Sequence, residues 1–572
     1  MVLNTTDINQ HAPAITGARC PKEDWATIDW AKATKRVENL RQRIFRATQQ
    51  QDWKKVHDLQ KLLLRSYSNL VLSVRQITQV NNGRRTPGVD GMVANTAEKR
   101  WRLVQELRQT PSPRVKPARR IYIPKANGKQ RPLGIPTIKD RIRQHVVKTA
   151  LEPSWEARFE ACSYGFRPGR SIHDAMEHVF LFLRKNRSNF RHEWVLDADI
   201  RGAFDHINHD FILERIGSFP ARDEIKAWLK AGYLEYGRLN DTEEGTPQGG
   251  VISPLLANIA LDGLREVLNQ YRISGSKSGR LGYVRYADDF IVLAPTRETL
   301  EQVRLTISEW LAVRGLQLNE EKTRIIPIDD GFNFLGFNVR RYNGKLLIKP
   351  QKEKVLAKLH EIKQWLNSHK QVKQDQVIKY LNPILRGWAN NYRHQCSKDT
   401  YRYVGWRMFR MLWTWALRRH STKGKRWVKN RYFRRIGSRN WQFATETEVR
   451  RGKRITAVLF DVTSTPIIRH PIVRTGASKD DPSLQDYWAA RNRYYGRVRY
   501  AVDTGKTRLA YQQDWKCPVC KAGLFNGESV DVYHPGQRDT GKTCERTTVV
   551  IRHQACHFNA FGRDNRKWLG RF

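Results

Sequence analysis

Two adjacent carboxylates, Asp288 and Asp289, lie in the segment Tyr286-Ala287-Asp288-Asp289 between short apolar runs, Leu281 to Tyr283 and Phe290 to Leu293. The runs read as hairpin strands, whose tip can present both acids to bound cations. Asp is a common turn former, so alone the pair reads first as a solvated turn. A second segment shifts that balance: Trp194-Val195-Leu196-Asp197-Ala198-Asp199-Ile200 is an apolar strand that again ends in acid. Three carboxylates from two strand ends are what a two-metal phosphoryl-transfer site requires, with Mg²⁺ ions about 3.5–4 Å apart activating an attacking oxygen and stabilising the leaving group. Mg²⁺ takes oxygen ligands and is typically held by one or two carboxylates plus substrate phosphates. Asp197, two residues before Asp199, shares its strand face; it is either a supporting acid or a strand-end residue.

The rest of the chain must position these acids. Its 572 residues suffice for about three or four domains at roughly 150 residues each. The formal net charge of +47 is too large for solubility alone and points to a polyanion, nucleic acid above all. No apolar run approaches the ~18 residues that a membrane span needs. The first residues, Met1-Val2-Leu3-Asn4, show no charged leader followed by an apolar run, so a cytoplasmic protein is expected. Of seven cysteines, Cys20, Cys162 and Cys396 stand far apart and read as reduced structural thiols. Cys517, Cys520, Cys544 and Cys556 gather near the C-terminus, where Cys517-Pro518-Val519-Cys520 has metal-knuckle spacing. In a cytoplasmic nucleic-acid protein zinc suits them better than a disulfide.

Residues 1–85 carry a helical pattern, with Leu59, Leu62, Leu63, Val71, Leu72 and Val74 among Lys and Arg. From the turn-rich Thr86-Pro87-Gly88-Val89-Asp90-Gly91 the chain enters mixed helix and strand, to about residue 345. Three amphipathic helices follow over 346–420: Val355, Leu359, Ile362 and Leu366, then Val377, Leu381, Ile384 and Trp388, then Tyr401, Val404, Met408 and Trp415. Aromatic residues at helical spacing are usually core, so Trp388, Trp406 and Trp415 are expected inside, with Lys354, Lys358, Arg386, Arg393 and Arg407 facing RNA. The tract 421–505 interleaves cations with rings, as in Lys423, Lys425, Arg426, Trp427, Lys429, Arg431, Tyr432, Phe433, Arg434 and Arg435. Such a run suits a DNA or RNA surface on which bases stack. Residues 506–572 read as a separate small unit.

The order Pro124-Lys125, Arg131-Pro132-Leu133, Tyr164-Gly165-Phe166-Arg167-Pro168, Asp199-Ile200-Arg201-Gly202-Ala203-Phe204-Asp205, Gly245-Thr246-Pro247-Gln248-Gly249-Gly250, Tyr286-Ala287-Asp288-Asp289, Leu318-Asn319-Glu320-Glu321-Lys322-Thr323 and Phe334-Leu335-Gly336-Phe337 resembles the successive blocks of group II intron-encoded reverse transcriptases. Arg386-Gly387-Trp388-Ala389-Asn390-Asn391-Tyr392 extends the resemblance into a maturase-like segment, and it covers nearly the whole chain. It implies an α+β fold: a right-hand polymerase with fingers and palm (86–345) behind an N-terminal extension. A helical thumb or maturase domain, a basic DNA-binding tract and a small zinc-stapled ββα-type tail would follow. It implies group II intron RNA, target DNA and deoxynucleoside triphosphates as partners, and two Mg²⁺ ions on Asp199, Asp288 and Asp289. Phe204, otherwise an ordinary core ring, matches the bulky side chain that excludes a 2′-hydroxyl. Gln248 matches a position that touches the nucleotide, and Lys322 the basic residue on the primer side. Lys125 and Arg131 flank an Asn-Gly turn, and two cations at such a tip can clamp a triphosphate.

The tail resembles the zinc-stapled His-Asn-His endonuclease that ends many such proteins. Cys517, Cys520, His553 and Cys556 give a tetrahedral Cys₃His zinc set, His534 matches the general base and His557 a catalytic metal ligand. The sequence departs from the pattern where Tyr533 replaces a metal ligand and Thr547 or Thr548 stands for the Asn. A phenol with a pKa near 10 is a poor ligand for a hard metal at neutral pH, so weak nicking or none is expected. Two further readings compete with the enzyme: a splicing maturase whose polymerase site is silent, and a reverse transcriptase of another bacterial retroelement or defence system. The intact polymerase residues argue against the first, and the maturase-like segment and tail against the second.

Overall fold

The computed structural model describes residues 24–110, 114–124, 128, 130–184, 192–246, 248–271, 280–448, 454–499, 504–533 and 549–556. Three capped helices begin it: α1 (Trp30–Gln49), α2 (Trp53–Leu64) and α3 (Tyr67–Arg75), whose first free N–H groups are met by Asp29, Asp52 and Ser66. Leu59, Leu63, Val71 and Val74 are buried as the spacing predicts, whereas Leu62 is exposed. After α4 (Ala97–Gln109), strands β1 (Ala118–Pro124) and β2 (Gln130–Ile135) form an antiparallel hairpin whose last pair is Pro124 with Gln130. Helices α5 (Ile138–Glu156) and α6 (Ile172–Leu183) lead to β3 (Trp194–Ala198).

Beyond β3 come α7 (Ala203–His206), α8 (His209–Ile216), α9 (Arg222–Leu229), the hairpin β4 (Tyr233–Glu235) and β5 (Arg238–Asn240), α10 (Ser253–Ala260) and α11 (Leu264–Leu268). Strand β4 pairs parallel to β1, so the two hairpins share one sheet in the order β2-β1-β4-β5. A third hairpin, β6 (Gly282–Tyr286) and β7 (Asp289–Ala294), joins β3 and, past α12 (Arg297–Ala312), β8 (Arg324–Pro327) in an antiparallel sheet ordered β6-β7-β3-β8. Both of its faces are covered. Leu196, Val292 and Ala294 enter a core with Val303 and Ile307 of α12, while Val195, Val284, Ile291 and Leu293 enter another with Met176 and Val179 of α6. Burial on both faces explains why these strands read as apolar runs without alternation.

A three-stranded sheet, β9 (Phe332–Phe334), β10 (Phe337–Tyr342) and β11 (Lys345–Pro350), precedes helices α13 (Lys352–Ser368), α14 (Gln374–Tyr392) and α15 (Lys398–Arg419). Next are α16 (Lys425–Tyr432) and the antiparallel β12 (Phe433–Ile436), β13 (Arg439–Glu448) and β14 (Arg454–Val458). Helices α17 (Gln485–Arg499) and α18 (Thr504–Gln512) then lead to the paired β15 (Val530–Tyr533) and β16 (Val550–His553). Among the described residues no helix is long and apolar enough to cross a membrane.

Three surface expectations need correction. Trp406 is half exposed, because it lies off the apolar stripe of α15 formed by Tyr401, Val404, Met408 and Trp415. Arg393 is buried, donating to Asn390 and to the carbonyl of Val498. Tyr432 and Phe433 are buried against Trp415 and Phe443, so those two rings of the basic tract are core and not stacking platforms. Cys162 and Cys396, read as lone reduced thiols, are both free, the first buried and the second exposed.

Candidate active site and metal cluster

Asp199 follows the last residue of β3, and Asp288 occupies the turn between β6 and β7, with Asp289 opening β7. The register places Asp197 opposite Ile291 of β7 and Arg324 of β8, so the acid-bearing ends of β3 and of the hairpin are neighbours. The turn depends on Ala287 in the left-handed region, at φ +59°. It is buttressed by Gly165, where a Cβ would come within 2.3 Å of the Ala287 nitrogen, so only glycine fits the Tyr-Gly-Phe-Arg-Pro segment there. That segment is fixed in turn: Tyr164 N–H donates to the Arg285 carbonyl at 2.9 Å, and buried Arg167 pairs with buried Glu156 at 2.9 Å.

The Leu-Asn-Glu-Glu-Lys-Thr segment closes over Asp199. Asn319 N–H donates to the Asp199 carbonyl at 2.8 Å, and the Asn319 amide and the Lys322 ammonium donate to its Oδ2 at 3.1 and 2.8 Å. Partial burial, then the charges of neighbouring acids, lift the Asp289 carboxyl to about 6 and that of Asp197 to about 7; Asp288 is raised for the same reasons. Lys322 and Arg131 pull Asp288 and Asp289 the other way, which sets Arg131 of β2 within electrostatic reach of the carboxylates. Crowded acids that hold protons near neutrality, all oxygen donors, are a set that a hard divalent cation fits.

A cleft of about 240 Å³ is lined by Phe204, Gln248, Thr246, Arg120, Trp228 and Tyr233. Phe204 is partly buried, packs against the core and meets exposed Phe166 edge-on at 6.3 Å, so one face is structural while the ring also walls the cleft. Gln248 donates from Nε2 to both oxygens of Asp205, 3.1 Å each. Gly249, at φ +125°, packs so closely on Gly134 that a Cβ would meet its carbonyl oxygen at 2.5 Å. Lys125 lies outside the described residues.

In the tail Cys517, Cys520, His553 and Cys556, all buried, bring one donor atom each within 4.8 Å of one another. Three sulfurs and one imidazole nitrogen buried together are a donor set that could hold a zinc ion. Tyr533 lies beneath the guanidinium of Arg552, 3.3 Å from ring centroid to Cζ, rather than free for a metal. His534, Thr547, Thr548 and His557 lie outside the described residues.

Residues 123–339 match the family model for reverse transcriptase (RNA-dependent DNA polymerase), 25–107 that for the N-terminal domain of reverse transcriptase, and 356–433 the maturase-specific domain of group II introns. Protein YkfC of Escherichia coli (strain K12) is 37% identical over 303 residues, which span 46% of this chain and 79% of YkfC. The chain belongs to the group II intron-encoded reverse transcriptase and maturase family. The group II intron-encoded protein LtrA of Lactococcus lactis subsp. cremoris is 33% identical over 328 residues, 46% of this chain and 53% of LtrA, so the chain spans about half of that relative. Apo telomerase from Candida tropicalis, truncated from its C-terminal domain, aligns over 41% of this chain and 55% of that chain, with 17% identity and a TM-score of 0.32. That likeness is too slight to bear on the argument.

Two interactions of this reverse transcriptase and maturase chain were not legible in the sequence. Asp205 anchors Gln248, and its only signal was its place within the Phe-Asp pair. Tyr392, the last residue of the maturase-like segment, donates to the carbonyl of Gly336 at 3.3 Å, tying α14 to the Phe-Leu-Gly-Phe turn.

The raised carboxyls carry a pH signature. Unfolded, Asp titrates near 3.8; folded, Asp197 and Asp289 keep protons to about 7 and 6. The metal-free fold therefore loses stability as pH rises from about 4 to 7, and a cation that replaces those protons restores it. The melting-point gain from added Mg²⁺ should grow between pH 5 and pH 7.5 to about 2–4 °C, the equivalent of about 1 kcal/mol in a large domain. A gain that is flat with pH in differential scanning fluorimetry counts against cation binding at these acids.

Proposed function

We propose that this protein is the RNA-directed DNA polymerase and splicing maturase of a group II intron: it binds intron RNA, assists splicing and copies RNA into DNA at the insertion site. The observation that carries the reading is the convergence of Asp199, Asp288 and Asp289 at neighbouring strand ends, with Lys322 on Asp199 and Arg131 nearby. Two Mg²⁺ ions held there would activate the primer 3′ oxygen and stabilise the departing pyrophosphate. In this reading Lys125 and Arg131 clamp the triphosphate, Phe204 lies under the sugar and Gln248, oriented by Asp205, contacts the nucleotide. Lys322 holds Asp199 in place on the primer side.

The proposed units are an N-terminal extension (1–85), fingers and palm (86–345), thumb (346–420), basic DNA-binding tract (421–505) and a tail (506–572) stapled by zinc on Cys517, Cys520, His553 and Cys556. With Tyr533 stacked under Arg552, the tail would hold DNA and nick it weakly or not at all, and His534 and His557 would be relics of the endonuclease. A cytoplasmic setting in a prokaryote suits these partners.

Primer extension on an RNA template tests the enzyme directly. The protein should add deoxynucleotides to a DNA primer with Mg²⁺, and Phe204→Ala should raise ribonucleotide incorporation by about tenfold or more, since a steric clash of ~1.4 kcal/mol, once removed, already amounts to that factor. No extension by the folded protein would leave the silent-maturase reading. Unchanged discrimination would return Phe204 to the core. Sequencing the RNA that co-purifies with the protein separates an intron maturase from another retroelement's polymerase.

A further inference from the structure

Arg75 ends α3 at the start of a π-helical turn (Gln76–Val80) and is only 4% exposed. Its Nη2 donates to Cys556 Sγ at 3.1 Å and pairs with Glu528 Oε2 at 2.8 Å, while its guanidinium lies over the ring of Trp30 in α1, 5.2 Å from the centroid. Glu528 precedes β15 and Cys556 follows β16, so one buried cation from the N-terminal helices grips both ends of the tail hairpin. Trp515, Cys517, Cys520, Ile551 and Cys556 also belong to the same apolar core as Trp30, Val71 and Val74. The tail is thus seated on helices more than 400 residues earlier in the chain.

We propose that Arg75 couples metal occupancy of the Cys517-Cys520-His553-Cys556 cluster to docking of the tail on α1 and α3. The proposal rests on reading that cluster as a zinc site. A Zn²⁺ ion with three thiolates and one neutral imidazole carries a net charge of −1, and a buried anion is costly unless paired and hydrogen-bonded. Arg75, charged at any working pH, supplies both the opposite charge and the donor. Partners of this outer kind change metal affinity by about 10–100-fold when removed. Without the ion Cys517, Cys520, His553 and Cys556 are no longer tied to one centre, and Cys556 Sγ is held less firmly against the guanidinium. Binding and docking must then favour each other equally.

The test uses the full-length chain, loaded with zinc or stripped by a chelator. Wild type should bind one zinc per chain, and stripping should speed amide exchange in Tyr67–Arg75 by about tenfold or more. In competition with a chromophoric chelator, Arg75→Met should weaken zinc affinity about 10–100-fold, and Arg75→Lys should recover part of that affinity. Unchanged zinc affinity in Arg75→Met, or exchange in α3 indifferent to zinc in the wild type, would sink the coupling while leaving the zinc site standing. A wild-type chain that binds no zinc sinks both. The exchange comparison needs no variant and decides the matter even if Arg75→Met fails to fold.

Discussion

Asp288→Ala is expected to cut RNA-templated extension of a DNA primer about a thousandfold or more while leaving RNA affinity within about twofold. Metal stabilisation of transition-state charge is worth several kcal/mol, and each 1.36 kcal/mol is a factor of ten in rate. The substitution removes a ligand without disturbing its support. Asp288 lies at the tip of the β6–β7 turn, whose shape comes from Ala287 at φ +59° and from the close packing of Gly165, neither of which depends on the carboxylate. Its removal also relieves repulsion on Asp289, whose carboxyl Asp288 helps to push up to about 6. The fold should therefore be no less stable, and unfolding would not be the cause of the inactivity. Single-turnover extension is the measurement, with filter binding of the same template as control. Polymerisation within tenfold of wild type would remove Asp288 from the metal set.

How far the sequence alone revealed this site depends on how local the cause is. The β6–β7 hairpin, β3 and the acids at their ends were legible, because apolar runs interrupted by acid have few alternatives once both faces of a sheet are buried. So were the helices over 352–419, whose stripes repeat at 3.6 residues. Which residues lie off a stripe was harder: Trp406 and Arg393 trade the expected places, one exposed and one buried, because neighbouring elements and not spacing decide the flanks of a helix. Long-range partners left no trace at all. Asp174 is buried and accepts from His470 at 3.0 Å and from Arg491 at 2.7 Å, joining α6 to the basic tract across about 300 residues of chain, and Arg75 reaches Cys556 across still more. Only the fold brings such charges together, since each alone looks like an ordinary surface residue.

Those same long-range pairs decide how nucleic-acid affinity should be tested. Cutting the chain after residue 420 would strip Val428, Tyr432, Phe433 and Phe443 from the core that also holds Leu385 and Trp415, and would leave Asp174 buried without Arg491 and His470. A truncated chain would lose affinity by unfolding. The cleaner probe is the outer face of α16 and its approach, where Lys425, Arg426 and Arg431 are exposed and Lys423 and Lys429 lie against the rings of Trp427 and Trp441. For wild type, duplex DNA affinity should fall about 10³–10⁵-fold between 50 and 200 mM salt if six to ten phosphates are neutralised. Changing Lys425, Arg426 and Arg431 together to Gln should flatten the log–log slope by about 0.9 for each phosphate no longer neutralised, up to about 2.7, with fold and extension activity kept. Intron RNA should respond less if it is gripped mainly through cations on the helices, such as Lys354 and Arg386, both exposed. Equal flattening for DNA and intron RNA in fluorescence anisotropy would mean that α16 serves both, and the idea of a separate DNA-binding tract would fall.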